Sequence, residues 1–294
     1  MARGSRSVGS DAFAERMRRA RRAGAALALL SLGGIAGAAQ PAGQPPPYLK
    51  LKGSVENRTI GPLHIANVFR AIETGKHARL RNVTINGVDA TSLDRDGIRI
   101  RGDAEGVRIQ NFHLQMRSAP QSSPNLPIGI AVQTGRDIVI SDGTVSGFRM
   151  IEQEGKYTNG DGIATERPVD GLSITRVRST DNSDGGFDLK SRNTKLDDLT
   201  AERNGRNYRL WGTVEAGTLN SADPRNAHVW VAKGAEVHIR NLVASSRTRA
   251  ALIKLEGPAM VTVDHCTLSL PPGTKIVGGQ PEGAQVRLGP GCSK

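Results

Sequence analysis

Short segments in which apolar and polar residues alternate recur along most of the chain. Each contains two or three of Val, Ile or Leu at every second position and ends near glycine, asparagine or aspartate. A period of two predicts half-buried β-strands, and those three residue types mark the turns between them. The segments lie at residues 79–85, 107–112, 138–143, 172–177, 195–199, 237–242 and 261–266.

A second apolar segment precedes several of these strands and begins with a glycine or an asparagine. It occurs at 97–100, 129–132, 162–165, 186–189 and 207–210. When the apolar positions of the first set are aligned, successive segments are 29, 31, 34, 22, 43 and 24 residues apart. The 43-residue step corresponds either to two repeats or to a single repeat with an insertion at 213–226. Such repeats are typical of a solenoid of parallel strands. The predicted fold is all-β, a right-handed parallel β-helix.

The segment before these repeats has a different period. Ile65, Val68, Phe69 and Ile72 are three or four residues apart, which predicts an amphipathic helix over 64–75. A capping helix in this place would cover the first strand edge of the stack, which otherwise exposes unpaired backbone groups.

The first 39 residues have the features of a secretory signal peptide. Seven arginines and two acidic residues give residues 1–22 a charge of +5, and an apolar run that ends in small residues follows at 23–39. A membrane anchor is the alternative, but the run is shorter than the ~20 residues that cross a bilayer. We therefore expect a secreted or periplasmic protein. Its predicted parts are a signal peptide at 1–39, a Pro-rich linker at 40–50, an N-terminal cap with a short helix at 51–76, the β-helix at 77–270 and a C-terminal tail at 271–294.

Composition narrows the range of partners. Aromatic residues make up only 3 % of the chain, whereas glycine occurs 35 times, which favours stacked aliphatic strands over a core of large rings. The net charge is +12, and +7 remains after subtraction of the +5 at residues 1–22. A basic surface suits a polyanion, although ordinary solubility explains it equally well. No basic stripe interleaved with aromatic residues is present, so we expect no nucleic-acid partner.

The chain has two cysteines, Cys266 and Cys292. They could bridge the C-terminal tail to the last repeat, or they could be two unrelated thiols. Sequence alone does not supply the geometry that decides between these alternatives.

Two polar turns in the middle of the chain carry the candidate chemistry. They lie at 159–163 and 181–190, and each feeds a predicted strand. Strand residues alternate between the two faces, and neighbouring rungs lie about 4.8 Å apart, so the repeat register places the outward side chains of both segments on one patch. That patch gathers Asp161, Glu166, Asp184, Asp188, Lys190 and Arg209.

Several carboxylates on one small face require compensation. Two like charges at contact repel by roughly 1–4 kcal/mol near a protein surface. A hard divalent cation would offset this repulsion, and oxygen-only ligation indicates calcium or magnesium. The alternative is a ladder of salt bridges, which would pair Asp188 with Arg209 and Glu166 with Lys190.

The two turns resemble the paired motif of family 9 polysaccharide lyases, which are calcium-dependent pectate lyases with a right-handed parallel β-helix. The family pattern is an Asn-x-Asp-Gly-aromatic turn, an Asn-Ser-Asp-Asp-Gly-aromatic-Asp turn and an Asn-Gly-x-Gly-Phe-Lys-Leu-Gly segment. The corresponding residues here are 159–163, 182–188 and 204–212, within a stretch of about 55 residues. By this resemblance the calcium ligands would be Asp161, Asp184 and Asp188.

Two departures from the family pattern affect the same site. Gly185 stands where the family has a second aspartate, so calcium would bind more weakly. Arg209 stands where the family has its lysine base, and arginine is a poor base because its pKa is above about 12. Lys190, two residues beyond Asp188, is a rival base because the pKa of a lysine shifts readily. The catalytic candidates are thus Arg209 and Lys190.

The sequence predicts a secreted polysaccharide lyase that cleaves an acidic, uronate-containing polysaccharide by calcium-assisted β-elimination. A base removes the C5 proton, a cation neutralises the adjacent carboxylate, and the glycosidic oxygen leaves. We expect Tyr157, Glu166 and Trp211 to bind the substrate. The protein would be a monomer with no membrane contact after signal cleavage.

Two other functions remain open at this stage. One is a non-catalytic β-helix that binds an acidic exopolysaccharide. The other is a glycoside hydrolase related to polygalacturonases, in which Asp161 and Asp184 would act as acid and base.

Overall fold

The computed structural model describes residues 45–117, 126–152, 154–155 and 157–293. The predicted signal peptide lies outside these residues. All regular secondary structure in the described part is β-strand, and this part has no helix suited to crossing a membrane. The strands are β1 (Leu49–Leu51), β2 (Ser54–Glu56), β3 (Thr59–Ile60), β4 (Leu63–Ala66), β5 (Arg70–Thr74), β6 (Arg79–Arg81), β7 (Thr84–Leu93), β8 (Asp96–Ile100), β9 (Asp103–Glu105), β10 (Arg108–Met116), β11 (Ile128–Val132), β12 (Gly135–Ser146), β13 (Asp161–Thr165), β14 (Val169–Thr180), β15 (Gly185–Leu189), β16 (Thr194–Glu202), β17 (Arg206–Leu210), β18 (Thr213–Ala222), β19 (Ala227–Val231), β20 (Glu236–Ser245), β21 (Ala251–Leu255), β22 (Met260–Ser269), β23 (Val277–Gly279) and β24 (Gln285–Leu288).

The strands form two long parallel sheets. Sheet A has ten strands in the order β1-β5-β8-β11-β13-β15-β17-β19-β21-β23. Sheet B has 14 strands. Ten of them follow the path β2-β6-β9-β12-β14-β16-β18-β20-β22-β24, and the other four, β3, β4, β7 and β10, pair beside that path. From β11 onward the chain passes from one sheet to the other with each strand, so one strand of each sheet makes one rung. Parallel strands joined by such crossovers are right-handed in nearly all proteins. The predicted right-handed parallel β-helix is confirmed.

Continuous apolar columns fill the interior. Ile163 pairs with Phe187, and Phe187 pairs with Tyr208, as the alternation of the sequence predicts. All three side chains are fully buried, and the Phe187 and Tyr208 rings stack with centroids 5.3 Å apart. The Tyr208 hydroxyl donates to the carbonyl of Asn220 at 2.8 Å, so its polar atom is satisfied inside the core. Tyr208 is therefore a core residue and does not line the outer face.

The long strands of sheet B change direction at a column of residues with left-handed backbone conformation. Asn111, Asp142, Arg176 and Asp198 have φ values between 50° and 58°. Asparagine and aspartate tolerate this conformation better than other residues with a side chain. Beyond the left-handed residue the alternation of buried and exposed positions moves by one residue. In β14, for example, the next buried position after Ile174 is Val177, three residues on instead of two. A single strand can therefore line two walls of the solenoid.

The predicted capping helix over 64–75 is wrong. This segment forms β4 and β5, with Asn67 in the left-handed conformation between them. Ile72 pairs with Leu49 in β1 and with Ile98 in β8, so the segment is part of sheet A. The helix-like spacing arises because Ile65 and Ile72 lie in different sheets, and sheet pairing overrides the local pattern.

The solenoid also extends beyond its predicted C-terminal end. Residues 277–279 and 285–288, which were placed in a tail, form β23 and β24 and continue both sheets. Cys292 forms a disulfide with Cys266 in β22, so the two thiols are bridged. The 43-residue step is two rungs, because Ala216 in β18 pairs between Leu196 and Ile239.

Three buried asparagines brace the turns that lead into β15 and β17. Asn182 Oδ1 accepts from the Phe148 N–H at 3.0 Å, and Asn204 Oδ1 accepts from the backbone N–H and Nδ2 of Asn182 at 3.0 and 2.8 Å. Asn204 Nδ2 donates to Asn207 Oδ1 at 3.0 Å and to the Ser179 carbonyl at 3.1 Å. These bonds satisfy turn groups that have no partner in the strand ladders, so they fix the backbone of both turns.

We expect Asn204→Ala to destabilise the protein strongly. It leaves several buried groups of Asn182, Ser179 and Asn207 without their partner, and each such group costs about 1–3 kcal/mol. Chemical denaturation should show a loss of several kcal/mol, compared with about 0.5 kcal/mol or less for Asn241→Ala at an exposed position. Equal midpoints for the two variants would contradict a structural role for these asparagines.

Candidate functional site

Strands β13, β15 and β17 of sheet A present the predicted patch on their outer side. Ala164, Asp188 and Arg209 are paired from rung to rung, and Trp230 of β19 continues the column. The neighbouring column contains Lys190, since its N–H donates to the Thr165 carbonyl. The predicted outward register is therefore the observed one. Parallel pairing alone brings these charges within side-chain reach.

Asp188 is the centre of the patch. Its side chain is only 6 % exposed. Its Oδ1 accepts a hydrogen bond from Trp211 Nε1 at 2.9 Å. Its Oδ2 lies 3.3 Å from Lys190 Nζ and 3.6 Å from Arg209 Nη1. One buried carboxylate thus holds a lysine and an arginine around the same oxygen, with an indole ring at its other oxygen.

Asp184 forms a second group at the start of β15. It accepts hydrogen bonds from the Tyr157 hydroxyl and from Arg206 Nη1, which donates to the Tyr157 oxygen at 2.8 Å as well. Burial raises the pKa of Tyr157 to about 12, and the hydrogen bond to Asp184 raises it too. Tyr157 therefore remains a neutral donor, and its ring is 54 % exposed beside the site.

Asp161 occupies the space above Gly185. Its Oδ1 accepts a hydrogen bond from the Gly185 N–H at 2.7 Å. A Cβ atom at position 185 would lie 2.8 Å from that oxygen and 3.2 Å from the Asp188 Cβ. The glycine that replaces a family aspartate thus makes room for the Asp161 carboxylate. A side chain at 185 would have to displace it.

The three aspartates differ from ordinary surface carboxylates. Burial raises the pKa of Asp161 well above its usual value, and the nearby charges of Asp188 and Asp184 raise it further. Burial also raises the pKa of Asp184, although the Tyr157 hydrogen bond and the Arg206 charge oppose this change. Mutual repulsion in a dry site therefore favours a proton on one of these groups, and Asp161 is the strongest candidate.

The arginines of the patch are held over aromatic rings. Burial lowers the pKa of Arg209, but the charges of Asp188, Tyr157 and Glu256 outweigh it, so the pKa is raised overall. Arg209 Nη2 donates to Glu256 Oε1 at 3.1 Å, and its guanidinium lies 4.7 Å from the centre of the Trp211 ring. Arg209 therefore remains a cation in the site.

Glu166 lies at the edge of the patch. Its Oε1 is 3.6 Å from Lys190 Nζ, and its side chain is 53 % exposed. Together with the contact of Asp188 and Arg209, this pair forms the salt-bridge ladder that the sequence left open as an alternative to a metal. Exposure of Glu166 keeps its contribution to stability small.

The arrangement does not fit a calcium ion. Among the described residues, no three Asp, Glu, His or Cys side chains are grouped so that they could hold a metal. The oxygens of Asp184 and Asp188 that would bind the ion already accept from tyrosine, tryptophan, arginine and lysine groups. Lys190, Arg206 and Arg209 already pair with Asp184 and Asp188, so a divalent ion would compete with these cations. Calcium would have to expel Arg206 or Lys190 first.

A cavity of about 480 Å³ opens beside Asp184. Its wall includes the Tyr157 ring and the guanidinium groups of Arg206 and Arg225, and Glu152 adds one carboxylate. Arg225 Nη2 donates to the carbonyls of Asn182 and Ser183 at 2.9 and 2.7 Å, so it is held in place by the same turn. The volume is in the range of ligand sites, and the lining contains three arginines and two carboxylates.

Three residues of this region were not identified as site residues from the sequence. Arg206 binds Asp184 from the next rung, Glu256 binds Arg209 from two rungs away, and Arg225 reaches back across 43 residues. The repeat register in the sequence does point to Arg206. Arg206 pairs with Gly185, and Asp161 occupies the equivalent position in the preceding rung. No sequence motif includes Glu256 or Arg225.

Comparison with known proteins finds similar solved structures but no family. No protein-family model matches the chain, and no curated protein matches it. Two solved structures are similar to it, the Dettilon tailspike protein (gp208) and a polygalacturonase from Erwinia carotovora ssp. carotovora. The tailspike is 10 % identical with a TM-score of 0.44, over 81 % of this chain and 61 % of its own. The polygalacturonase is 14 % identical with a TM-score of 0.45, over 74 % of this chain and 60 % of its own. The chain spans about three fifths of either structure's length.

Asp161→Asn should stabilise the protein at neutral pH. The pKa of Asp161 is raised in the folded state, so its contribution favours folding at low pH and is lost as the pH rises through the folded-state pKa. Asparagine keeps the acceptor for Gly185 and removes the charge. Thermal unfolding should show a midpoint a few degrees higher than wild type at neutral pH and no difference in acid below the ordinary aspartate pKa. A lower midpoint at neutral pH would show that the Asp161 charge is instead favourable.

Proposed function

We propose that this protein binds an acidic polysaccharide along the outer side of sheet A and cleaves it by β-elimination. One observation carries the proposal: Asp188 Oδ2 holds Lys190 Nζ at 3.3 Å and Arg209 Nη1 at 3.6 Å. A potential base and a fixed cation thus lie side by side in a half-buried site. This is the pair that abstraction of a proton next to a carboxylate requires.

Lys190 is the better candidate for the base. An amine loses its proton far more readily than a guanidinium does, and Arg209 has a raised pKa in this site. In the proposed step Lys190 removes the C5 proton of a uronate, the C4–O bond breaks, and a C4=C5 double bond forms. The departing glycosidic oxygen takes up a proton, which Lys190 or water supplies. Every atom and electron pair is then accounted for.

Arg209 is the better candidate for the neutralising cation. The carboxylate attached to C5 gains negative charge as the proton leaves, and a cation that is already in place stabilises that charge without reorganisation. Arg209 is oriented by Glu256 and by the Trp211 ring, so its guanidinium is positioned before substrate binds. In this proposal the arginine performs the role that calcium has in the resembling family, and no metal is needed.

Aromatic rings beside these charges suit the faces of sugar rings. Tyr157 is 54 % exposed, Arg167 and Arg209 lie 5.8 and 4.7 Å from the centre of the Trp211 ring, and Arg206 and Lys254 each lie 4.2 Å from the centre of the Trp230 ring. The exposed Tyr157 ring offers an apolar face for a sugar, and the cations beside the two indoles offer charges for its carboxylates. The predicted binding role of Tyr157 and Trp211 is retained in the proposal, and Trp230 joins them.

A hydrolase is the second candidate because of Asp161. A carboxyl whose pKa is raised by burial and by neighbouring carboxylates is what a glycosidase uses as its general acid. Asp184 would then serve as the second carboxylate. The hydrolase leaves an ordinary reducing end, whereas the lyase leaves an unsaturated uronate, so the products distinguish the two.

The protein is further proposed to act outside the cytoplasm. The Cys266–Cys292 disulfide suits an oxidising compartment, where such bonds persist. The apolar run at 23–39 of the sequence supports the same location.

The proposal is tested by the ultraviolet absorbance of unsaturated uronates. Purified protein is mixed with pectate, alginate, gellan-type and glycosaminoglycan polymers, each with calcium and with a chelator, and reducing ends are measured in parallel. We expect absorbance to rise on one polymer at the same rate in both conditions. Lys190→Ala should lower kcat by about 10²–10⁴, and Arg209→Ala by about 10²–10³. Lys195→Ala and Arg178→Ala, exposed on sheet B, are the matched controls and should leave the rate unchanged.

Other outcomes separate the alternatives. Reducing ends without the ultraviolet signal, lost in Asp161→Asn, would replace the lyase by the hydrolase. Binding of a polymer without either product would leave a non-catalytic glycan-binding protein. Activity that disappears with the chelator would overturn the metal-free mechanism.

A further inference from the structure

A second cluster of charges lies on the same side of sheet A, nearer its N-terminal end. It is formed by the rungs of β5 and β8 and by the residues just before and just after β8. We call it the arginine cluster, and its members are Arg70, Glu73, Arg95, Asp96, Arg99 and Arg101. Arg99 pairs with Glu73 on one side and with Ala131 on the other, so it stands in the same outward column as Asp188.

The cluster carries an excess of positive charge. Four arginines face two carboxylates, and Lys50 Nζ lies 4.0 Å from Glu73 Oε2 as a fifth cation. Asp96 Oδ2 accepts from Arg70 Nε at 2.7 Å and from Arg99 Nη1 at 3.3 Å, and it lies 3.6 Å from Arg95 Nε. One carboxylate oxygen therefore serves three guanidinium groups. At the Asp188 patch, by contrast, the carboxylates outnumber the cations, because Glu166 and Glu256 join the three aspartates.

This excess charge is largely removed from water. The side chains of Arg70 and Arg95 are 6 % and 11 % exposed, and those of Arg99 and Arg101 are 19 % and 22 % exposed. Burial lowers the pKa of Arg95, and the charges of Arg70 and Arg99 lower it as well, although Asp96 and Glu73 oppose this. Like charges at short range in a poorly solvated place repel one another, so the folded chain carries an electrostatic cost here.

Donors in the cluster remain available. Within the described part of the chain, the buried Nε atoms of Arg99 and Arg101 have no hydrogen-bond partner. Arg101 uses Nη1 for Glu73 Oε1 at 2.8 Å, and Arg99 uses Nη1 for Asp96. A purely structural salt-bridge network would be expected to match its charges and satisfy its donors, and this one does neither. An added anion would balance the charge and supply acceptors for the arginines, whereas Asp96 Oδ1, also buried and without a hydrogen-bond partner among the described residues, would gain nothing from it.

We propose that the arginine cluster is a binding site for an anionic group of a glycan, a carboxylate or a sulfate ester, through Arg99 and Arg101. Its place on the solenoid links it to the site described above. Asp188 is three rungs away along one column, about 14 Å at the usual strand spacing, and Ala131 and Ala164 occupy the rungs between. This separation exceeds one sugar, so a single acidic chain lying along sheet A would reach both places. The link to a polymer rests on the proposed function, whereas the anion site itself does not.

The test uses two arms on the full chain. In the first, thermal midpoints are measured in sodium galacturonate, sodium sulfate and sodium chloride at equal ionic strength. Binding to the folded state raises the midpoint with anion concentration. We expect a rise over chloride for wild type that falls by at least half in Arg99→Gln/Arg101→Gln. Arg136→Gln/Arg178→Gln, which removes the same charge from exposed salt bridges, should keep the full rise. Comparing the midpoint rise in galacturonate with that in sulfate then shows whether the site binds a carboxylate or a sulfate ester.

The second arm measures affinity for the polymer panel by electrophoresis in polymer-containing gels. The Arg99/Arg101 double variant should bind the recognised polymer about tenfold more weakly, the loss of one charge-assisted hydrogen bond or slightly more. If the double variant is too unstable, Arg101→Gln alone serves, because Asp96 then keeps its three arginines. An equal midpoint rise in the double variant and its control would overturn the anion site. A midpoint rise that the double variant loses, together with no binding or cleavage of any polymer by wild type, would support the anion site and reject the proposed function.

Discussion

The structure depends on the parallel register between rungs. Each outward residue of sheet A has a fixed neighbour about 4.8 Å above and below it, so a charged side chain must find its complement within that column or the next one. Asp188 meets Arg209 in its own column and Lys190 in the adjacent one. The buried asparagines hold the preceding turns, and the stacked core of Phe187 and Tyr208 holds the strands. The charged patch is thus positioned by backbone pairing.

Charge balance distinguishes the two clusters of sheet A and gives each a different chemistry. At the Asp188 patch, three aspartates together with Glu166 and Glu256 outnumber Lys190, Arg206 and Arg209, and Gly185 leaves space for the Asp161 carboxylate. For this site we propose proton removal from a uronate, with Arg209 as the neutralising cation in place of a divalent ion. At the arginine cluster the balance is positive, and an anion would complete it.

Much of the fold and part of the site follow from the sequence. Period-two alternation predicts the inward column of Ile163, Phe187 and Tyr208 and the outward column of Asp188 and Arg209, because side-chain direction in a strand depends only on parity. The helix prediction at 64–75 failed since two short strands separated by a left-handed Asn67 imitate helical spacing. Calcium stays a prediction: the sequence brings carboxylates together but does not show which cations join them, and in the structure Lys190, Arg206 and Arg209 do so. Arg206 contacts Asp184 across 22 residues, and only the stacked structure shows that contact.

The most direct test of this account is the structure of Lys190→Ala in complex with an acidic oligosaccharide from the polymer that the protein recognises, crystallised with calcium present. The account predicts a uronate carboxylate in contact with the Arg209 guanidinium, its C5 hydrogen directed toward the place of the missing amine, and sugar rings against Trp211. It also predicts no metal ion between the sugar and the aspartates. An oligosaccharide bound to another face, or a calcium ion held by Asp161, Asp184 and Asp188, would contradict it.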